Sequence, residues 1–326
     1  MRWLPVLITT ACGLPSPTPQ DFGDDDDIPT VPGEPQQVRI ATWNVEELGY
    51  PGSEEYDAVA TILARIDADI VGINEIDAPE VGHIKTLGAD LGYSHVTVPA
   101  TNPFGDIRNA ILTRLPVLDS AIHKPPELSG DAGANDVTRY PVSVTVDAGR
   151  PLTVVVQHWK SGFDDDDEFR RAVDSLRTAQ AADAGTEWVV AMGDVNQDIE
   201  EPPWSPARFT DIPAGMPSGY QLGDDLAGAL AGDGIANDAF EALSAVGLEI
   251  IDAQQLDGRY ATRDVSDRRI DYILGTEAIR ATAVGEVYDS RDESADGLIK
   301  SGEALPRETS ASASDHFPVL VEFTVQ

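Results

Sequence analysis

The chain is predicted to be an α/β protein, a four-layered α/β sandwich in which two mixed β-sheets pack face to face with helices on their outer sides. Two observations carry this expectation. From residue 38 onward, short apolar runs bounded by turn residues alternate with segments whose apolar residues recur at helical spacing. No fixed-period repeat interrupts that alternation, and no stretch approaches the ~20 apolar residues needed to span a bilayer. A length of 326 residues at 41% hydrophobic content supplies enough apolar side chain for the core of one large domain.

The elements are expected in the following order. Residues 38–42 form a buried strand, and residues 54–67 form a helix because Tyr56, Val59, Ala60, Leu63 and Ile66 fall on one face. Strands follow at 69–73, 94–98, 110–113, 142–146 and 152–156, then a helix over 167–184 and a strand at 188–192. The Gly-, Ala- and Pro-rich stretch 200–247 is a long loop carrying one helix around 237–246. Strands resume at 248–251, 269–274, 281–287 and 318–324.

Ahead of the domain, Arg2, the apolar run 3–8 and Thr9-Thr10-Ala11 lead into Cys12. This pattern resembles a bacterial lipoprotein signal over residues 1–11, with Cys12 as the acylated first residue of an exported, membrane-anchored or secreted protein. Residues 12–37, rich in Pro, Gly, Ser and Asp and without hydrophobic period, read as a solvated linker, and 38–326 as the folded domain. Cys12 is the one cysteine, which excludes an intrachain disulfide and a cysteine-based zinc site. The formal net charge of -35 argues against an ordinary cytosolic DNA binder and suits either a salty medium or simple solubility. No obligate protein partner is indicated.

Several polar residues stand at strand ends, where loops gather into a cleft: Asn44 and Glu46, Glu75, His158, Asp194 and Asn196, and Asp315-His316, with Asp271 inside a strand. Any one of them alone is more often a turn residue, a cap or a structural histidine. Together they suit one task. Cleaving a phosphoester needs a hard cation on oxygen ligands, and Glu75 and Asn44 offer carboxylate and amide oxygens suited to Mg²⁺ or Ca²⁺. Water needs a base, which a His paired with a carboxylate supplies near neutral pH, and Asn196 and His158 can donate to nonbridging oxygens.

Six blocks in order, ATWNVEELG, DIVGINEID, VVVQHWKSG, VVAMGDVNQD, RRIDYILG and SASDHFPVLVEF, resemble those of the endonuclease/exonuclease/phosphatase superfamily, in particular its secreted bacterial nucleases. The resemblance implies a divalent-metal phosphoesterase using Mg²⁺, or Ca²⁺ or Mn²⁺. It implies that Glu75 is the principal metal ligand, Asn44 part of the metal and phosphate site, Glu46 an outer acidic residue, and that Asp315 reaches a metal. His158 and Asn196 would meet the scissile phosphate, Asp194 would orient or activate water, and His316 would be the catalytic histidine held by Asp271. Arg139 and Asn109 would lie at the edge of the phosphate cleft. Asp194 and His316 both remain credible bases. His83, His95 and His123 match no block and are expected to be surface or packing residues.

The superfamily does not dictate a substrate. Lys160, directly after His158-Trp159, could meet a backbone phosphate and favours a nuclease of low sequence specificity. Asp164 to Asp167 stand close by and would repel a polyanion, which keeps open a small or lipid-linked phosphate ester. A binding module without catalysis is the third reading, and the complete residue set speaks against it.

Overall fold

The structure, a computed structural model, describes residues 35–326 apart from 184, 202, 204, 206 and 294–296. The expected signal segment, Cys12 and nearly all of the expected linker lie outside the described residues. In chain order the elements are β1 (Gln36–Asn44), α1 (Glu54–Ile66), β2 (Ile70–Ile76), α2 (Val81–Asp90), β3 (His95–Thr97), β4 (Arg108–Thr113), β5 (Val117–Ile122), α3 (Pro125–Ser129), β6 (Val142–Asp147), β7 (Pro151–His158), α4 (Asp165–Asp183) and β8 (Trp188–Asp194). Then come β9 (Arg208–Phe209), α5 (Asp224–Ala231), β10 (Ile235–Ala236), α6 (Glu241–Ala245), β11 (Glu249–Ile250), β12 (Asp271–Gly275), α7 (Glu277–Arg280), β13 (Val284–Val287), α8 (Thr309–Ala313) and β14 (Val319–Val325).

Two six-stranded sheets result, ordered β13-β14-β1-β2-β4-β3 and β11-β12-β8-β7-β6-β5. Each has one parallel pair at its centre, β1 with β2 and β7 with β8, and antiparallel neighbours elsewhere. A parallel pair needs a crossover, and α1 and α4 provide the two. Helix α1 begins where Ser53 accepts from Tyr56 N–H, carries Glu54, Glu55 and Asp57 in its first turn, and ends on Asp67 in the left-handed region.

Strand periodicity separates three apolar layers. Ile40, Ile70, Val154, Val156, Val190, Met192, Ile273 and Val321 meet between the sheets. Trp43, Val71 and Ile73 face α1, while Val155, Val189, Ala191 and Tyr272 face the side of α6. Gly72 marks the contact of sheet on sheet, since a Cβ there would sit 2.5 Å from Val156 Cγ2 and 2.9 Å from Met192 Cε. The four-layered sandwich is therefore the observed architecture.

Details depart from the sequence reading. The stretch 200–247 holds more than one helix: α5 and the β9–β10 ribbon pack on Phe169 and Val173 of α4, and α6 is only five residues long. The expected strand 281–287 begins at Val284, after the short helix α7. Edge strand β5 and helix α2 were not anticipated. In β5 the sequence VLDSAI lacks strong alternation, and in α2 two glycines dilute the face made by Ile84 and Leu87.

Candidate active site

The same two-residue phase that fills the inter-sheet layer with apolar side chains ends, strand by strand, on polar ones. Along β1 it runs Ile40, Thr42, Asn44; along β2, Ile70, Gly72, Asn74; along β7, Val154, Val156, His158; along β8, Val190, Met192, Asp194. Parallel register places Asn44 beside Asn74 and His158 beside Asp194. Antiparallel β12 enters the same rim, with Asp271 opposite Asp194, and β14 is preceded there by Asp315-His316. The cluster caps the core at the carboxyl ends of the parallel strands.

Beyond β1 and β8, and at an irregularity near the end of β2, the backbone turns sharply. Glu46, Glu75 and Asn196 have φ of 57°, 65° and 53°, left-handed values that cost a non-glycine residue energy and that concentrate at functional sites. The turns at Glu46 and Asn196 are braced. Glu46 N–H donates to Asn44 Oδ1 at 2.9 Å, and Asn196 N–H to Asp194 Oδ1 at 2.8 Å.

Asn44 Nδ2 donates to both Glu75 Oε1 and Asp194 Oδ2 at 3.0 Å, so it ties two carboxylates together while its oxygen is engaged by Glu46. Asn44 thus links the two carboxylates, and its Oδ1 accepts one hydrogen bond, from Glu46 N–H. His158 Nε2 lies 3.7 Å from Glu75 Oε1 and 3.5 Å from Asp194 Oδ2. Burial, with the positive charges of Arg139 and His316 nearby, holds His158 well below the ordinary histidine pKa. It is neutral at physiological pH.

His316 behaves oppositely. Burial opposes its charge, yet Asp271, whose Oδ2 is 2.8 Å from Nδ1, outweighs burial together with Asp194 and Asp315 and raises the imidazole to about 9. The ring is therefore an imidazolium at neutral pH. Asp194 is pushed up to about 7, first by burial and then by the charge of Asp271, against the pull of His316 and Asn44.

The remaining expected residues sit as follows. Asp315 accepts from Arg263 Nε at 2.9 Å and stands 3.6 Å from His316 Nε2, so it joins the cluster with one oxygen already paired. Arg139 is partly buried, its NH1 donating to Trp159 O at 3.1 Å, with its charge facing Glu75, Asp174 and Asp194. Asn196 Nδ2 donates to the same carbonyl at 3.1 Å. Asn109 is sealed in the interior and bonds Tyr140 O and Asn74. Lys160 Nζ pairs with Asp167 Oδ1 at 2.7 Å. His83, His95 and His123 bond Gly49 O, Thr97 and Ser143, away from the cluster.

Some supporting residues were not singled out in the sequence. Thr262 Oγ1 accepts from both Ile270 and Asp271 N–H at 3.0 Å, Ser314 Oγ accepts from His316 N–H at 3.0 Å and donates to Asn44 O at 2.8 Å, and Trp43 Nε1 donates to His316 O at 2.9 Å. Asp174, buried on α4, accepts from Thr138 and Lys160 N–H at 2.7 and 2.9 Å. Asn74 had a readable signal: an amide on the apolar phase of a buried strand.

Residues 41–316 match the model of the Endonuclease/Exonuclease/phosphatase family. The chain belongs to this family. Among solved structures it is similar to an endonuclease/exonuclease/phosphatase from Beutenbergia cavernae, at 20% identity and TM-score 0.55 over 89% of this chain and 72% of that one. It is also similar to a 3′ phosphatase from Neisseria bound to a product DNA hairpin (18% identity, TM-score 0.54, 88% and 99% covered). A sphingomyelinase C from Streptomyces griseocarneus gives 15% identity and TM-score 0.53, with 88% and 99% covered. No curated protein sequence matches.

The chain is accordingly a phosphoester hydrolase of the endonuclease/exonuclease/phosphatase family, whose enzymes use divalent cations. The residues present fit such an ion. Glu75, His158 and Asp194 bring ligand atoms within 4.8 Å of one another, and Glu46 is raised in pKa by burial and by the charges of Asp315 and Glu75. Those crowded carboxylates form a site that a hard cation would stabilise. Glu75 and Glu46 would hold it.

Proposed function

We propose that the protein is an exported, divalent-metal-dependent phosphodiesterase that cuts nucleic acid with little sequence preference. The observation that carries this reading is the buried cluster at the strand ends, in which His158 Nε2 lies 3.5 Å from Asp194 Oδ2 and His316 Nδ1 lies 2.8 Å from Asp271 Oδ2. A bound cation would neutralise phosphoryl charge and lower the pKa of nearby water.

The chain's own groups divide the remaining work. Asp194, near neutrality in pKa and with Oδ1 steadied by Asn196 N–H, orients water and takes its proton. His316, already protonated, stabilises negative charge on a nonbridging oxygen, and Asp271 keeps it charged. His158, lacking charge, is suited to donating one hydrogen bond to the phosphate. The assignment of the base to Asp194 follows because a histidine raised to about 9 is a poor proton acceptor at neutral pH. The DNA hairpin bound by the Neisseria relative supports nucleic acid as substrate.

A second reading, a small or lipid-linked phosphodiester, is favoured by the charge of the rim. A cavity of about 590 Å³ beside the cluster is lined by Glu46, Glu47, Glu54, Glu55, Asp264 and Asp315. That surface attracts a cationic head group more readily than a polyanion. The deciding experiment incubates the full chain with plasmid DNA, RNA, a chromogenic phosphodiester, a chromogenic phosphomonoester and phosphocholine-bearing lipid vesicles, with Mg²⁺ or Ca²⁺. Nicking of plasmid at rates above lipid cleavage is expected, and preferential lipid cleavage would select the second reading.

A further inference from the structure

Asn74 is a fully buried polar side chain in the layer between the sheets, and none of the roles above uses it. Its amide makes three hydrogen bonds, each crossing to another strand. Oδ1 accepts from Asp194 N–H at 2.9 Å, and Nδ2 donates to Gln157 O at 3.0 Å and to Asn109 Oδ1 at 2.9 Å. Asn109 continues the chain by donating to Tyr140 O at 3.0 Å. A line of oriented amides therefore runs from the loop next to Arg139, through β4 and β2 of one sheet, to the ends of β7 and β8 of the other.

The polarity of that line leaves few substitutes. One short side chain accepts from Asp194 N–H and donates to Gln157 C=O, which an amide can do and a carboxylate or hydrocarbon cannot. β8 is shaped to admit it. Gly193 has a φ of 143°, and a Cβ there would lie 1.9 Å from Gln157 O and 3.2 Å from Asn74 Oδ1. The glycine before Asp194 is required by its φ and by the close approach of the β7 backbone at Gln157 O, with Asn74 Oδ1 next nearest.

We infer that Asn74 is a positioning residue: it sets the spacing of the two sheets at the cleft and thereby the reach of Asp194 and His158 toward a phosphate bound beside the cation that Glu75, its neighbour in sequence, would hold. This rests on the phosphodiesterase reading given above. Removal of the amide takes one acceptor from the Asp194 N–H, one donor from the Gln157 C=O and the Asn74 donor from buried Asn109 Oδ1, and lets the strand ends shift. A misplacement of about 1 Å in such a site costs on the order of 100-fold in turnover. Because Asn74 is sealed from solvent and touches no substrate, KM should stay within about twofold while kcat bears the loss.

The test compares kcat and KM of the full chain on a chromogenic phosphodiester with saturating Mg²⁺ for wild type, Asn74→Ala, Asn74→Asp and Val144→Ala. Val144 lies in the same inter-sheet layer on β6, so its truncation lowers stability without touching the amide line. The expected results are a fall in kcat of about 100-fold for Asn74→Ala and of about tenfold for Asn74→Asp, which keeps the acceptor for Asp194 N–H. Val144→Ala should keep wild-type kcat. If Asn74→Ala does not fold, the isosteric Asp variant carries the comparison. Unchanged kcat in the Asn74 variants beside an active wild type, or an equal loss in Val144→Ala, would overturn the positioning role alone. A wild type without metal-dependent diesterase activity would overturn the functional reading and the role with it.

Discussion

Replacement of Asp271 by Asn removes the charge that keeps His316 protonated and leaves the ring's shape and surroundings in place. In the native site His316 stands at about 9 against an ordinary 6.5, although burial alone would lower it. The gap of about 2.5 pH units corresponds to ~3 kcal/mol favouring the imidazolium, at ~1.4 kcal/mol per unit. Without Asp271 the ring should titrate at or below its ordinary value. At pH 8 the charged fraction then falls from about nine-tenths to about 3%, so turnover should drop roughly 30-fold from protonation alone. The wild-type pH–rate profile should rise through about pH 7 as Asp194 ionises, earlier when a cation is bound, and fall through about pH 9 as His316 loses its proton. Asp271→Asn should move the falling limb down by two or more units. Stability carries the same sign. A folded-state histidine pKa above the unfolded one contributes stability that is complete below about 6.5 and lost as pH rises through about 9. Urea unfolding of wild type and variant should therefore differ by up to ~3 kcal/mol at pH 6 and converge near pH 10. Coincident falling limbs for the two proteins would refute the assignment of His316 as the charged partner of the phosphate.

Three further outcomes are expected. Asp167→Asn should free Lys160 from its ion pair and lower KM for DNA by up to about fivefold, the equivalent of ~1 kcal/mol for a partly exposed pair; an unchanged KM would remove Lys160 from the substrate path. Initial rates on DNA at saturating metal should first rise with NaCl, as the Debye length shrinks from about 30 Å at 0.01 M to about 3 Å at 1 M and screens the net charge of -35. A monotonic fall from the lowest salt would show counterion release from a local basic groove to dominate. Intact-mass analysis of protein made in a bacterial host should show cleavage before Cys12 and an added lipid, and an unprocessed or unacylated terminus would remove the membrane anchor.

The architecture was legible where side chains repeat with a clear phase. Val38, Ile40, Val154, Val156, Val190 and Met192 announce buried strands by themselves, and the site residues are the points at which those phases turn polar. What was illegible depends on long-range approach. Asn74 gains its role because β8 passes within reach at Gly193, Thr262 because its hydroxyl folds back onto β12, and Ser314 because it meets Asn44. The pairing of Lys160 with Asp167 is not visible in the sequence because it requires the first turn of α4 to fold back over Gly162, whose φ of 107° permits the bend. The place of Asn44 between Glu75 and Asp194 is visible only once both carboxylates are in place. Helix α5 and the β9–β10 ribbon leave no clear signal in the sequence because their apolar residues, Leu226, Leu230, Phe209 and Ile235, are spread through a Gly- and Ala-rich stretch and pack on α4 rather than on a sheet.

The most direct test is the initial rate of phosphodiester hydrolysis by the full chain, titrated with Mg²⁺ and repeated in excess chelator, for wild type, Glu75→Ala and Glu46→Ala. Hydrolysis should vanish in chelator and return with Mg²⁺. Glu75→Ala should raise the half-saturating Mg²⁺ by about tenfold or more, and Glu46→Ala by less. Full wild-type activity in chelator, or a Glu75→Ala variant with unaltered metal dependence, would contradict the account.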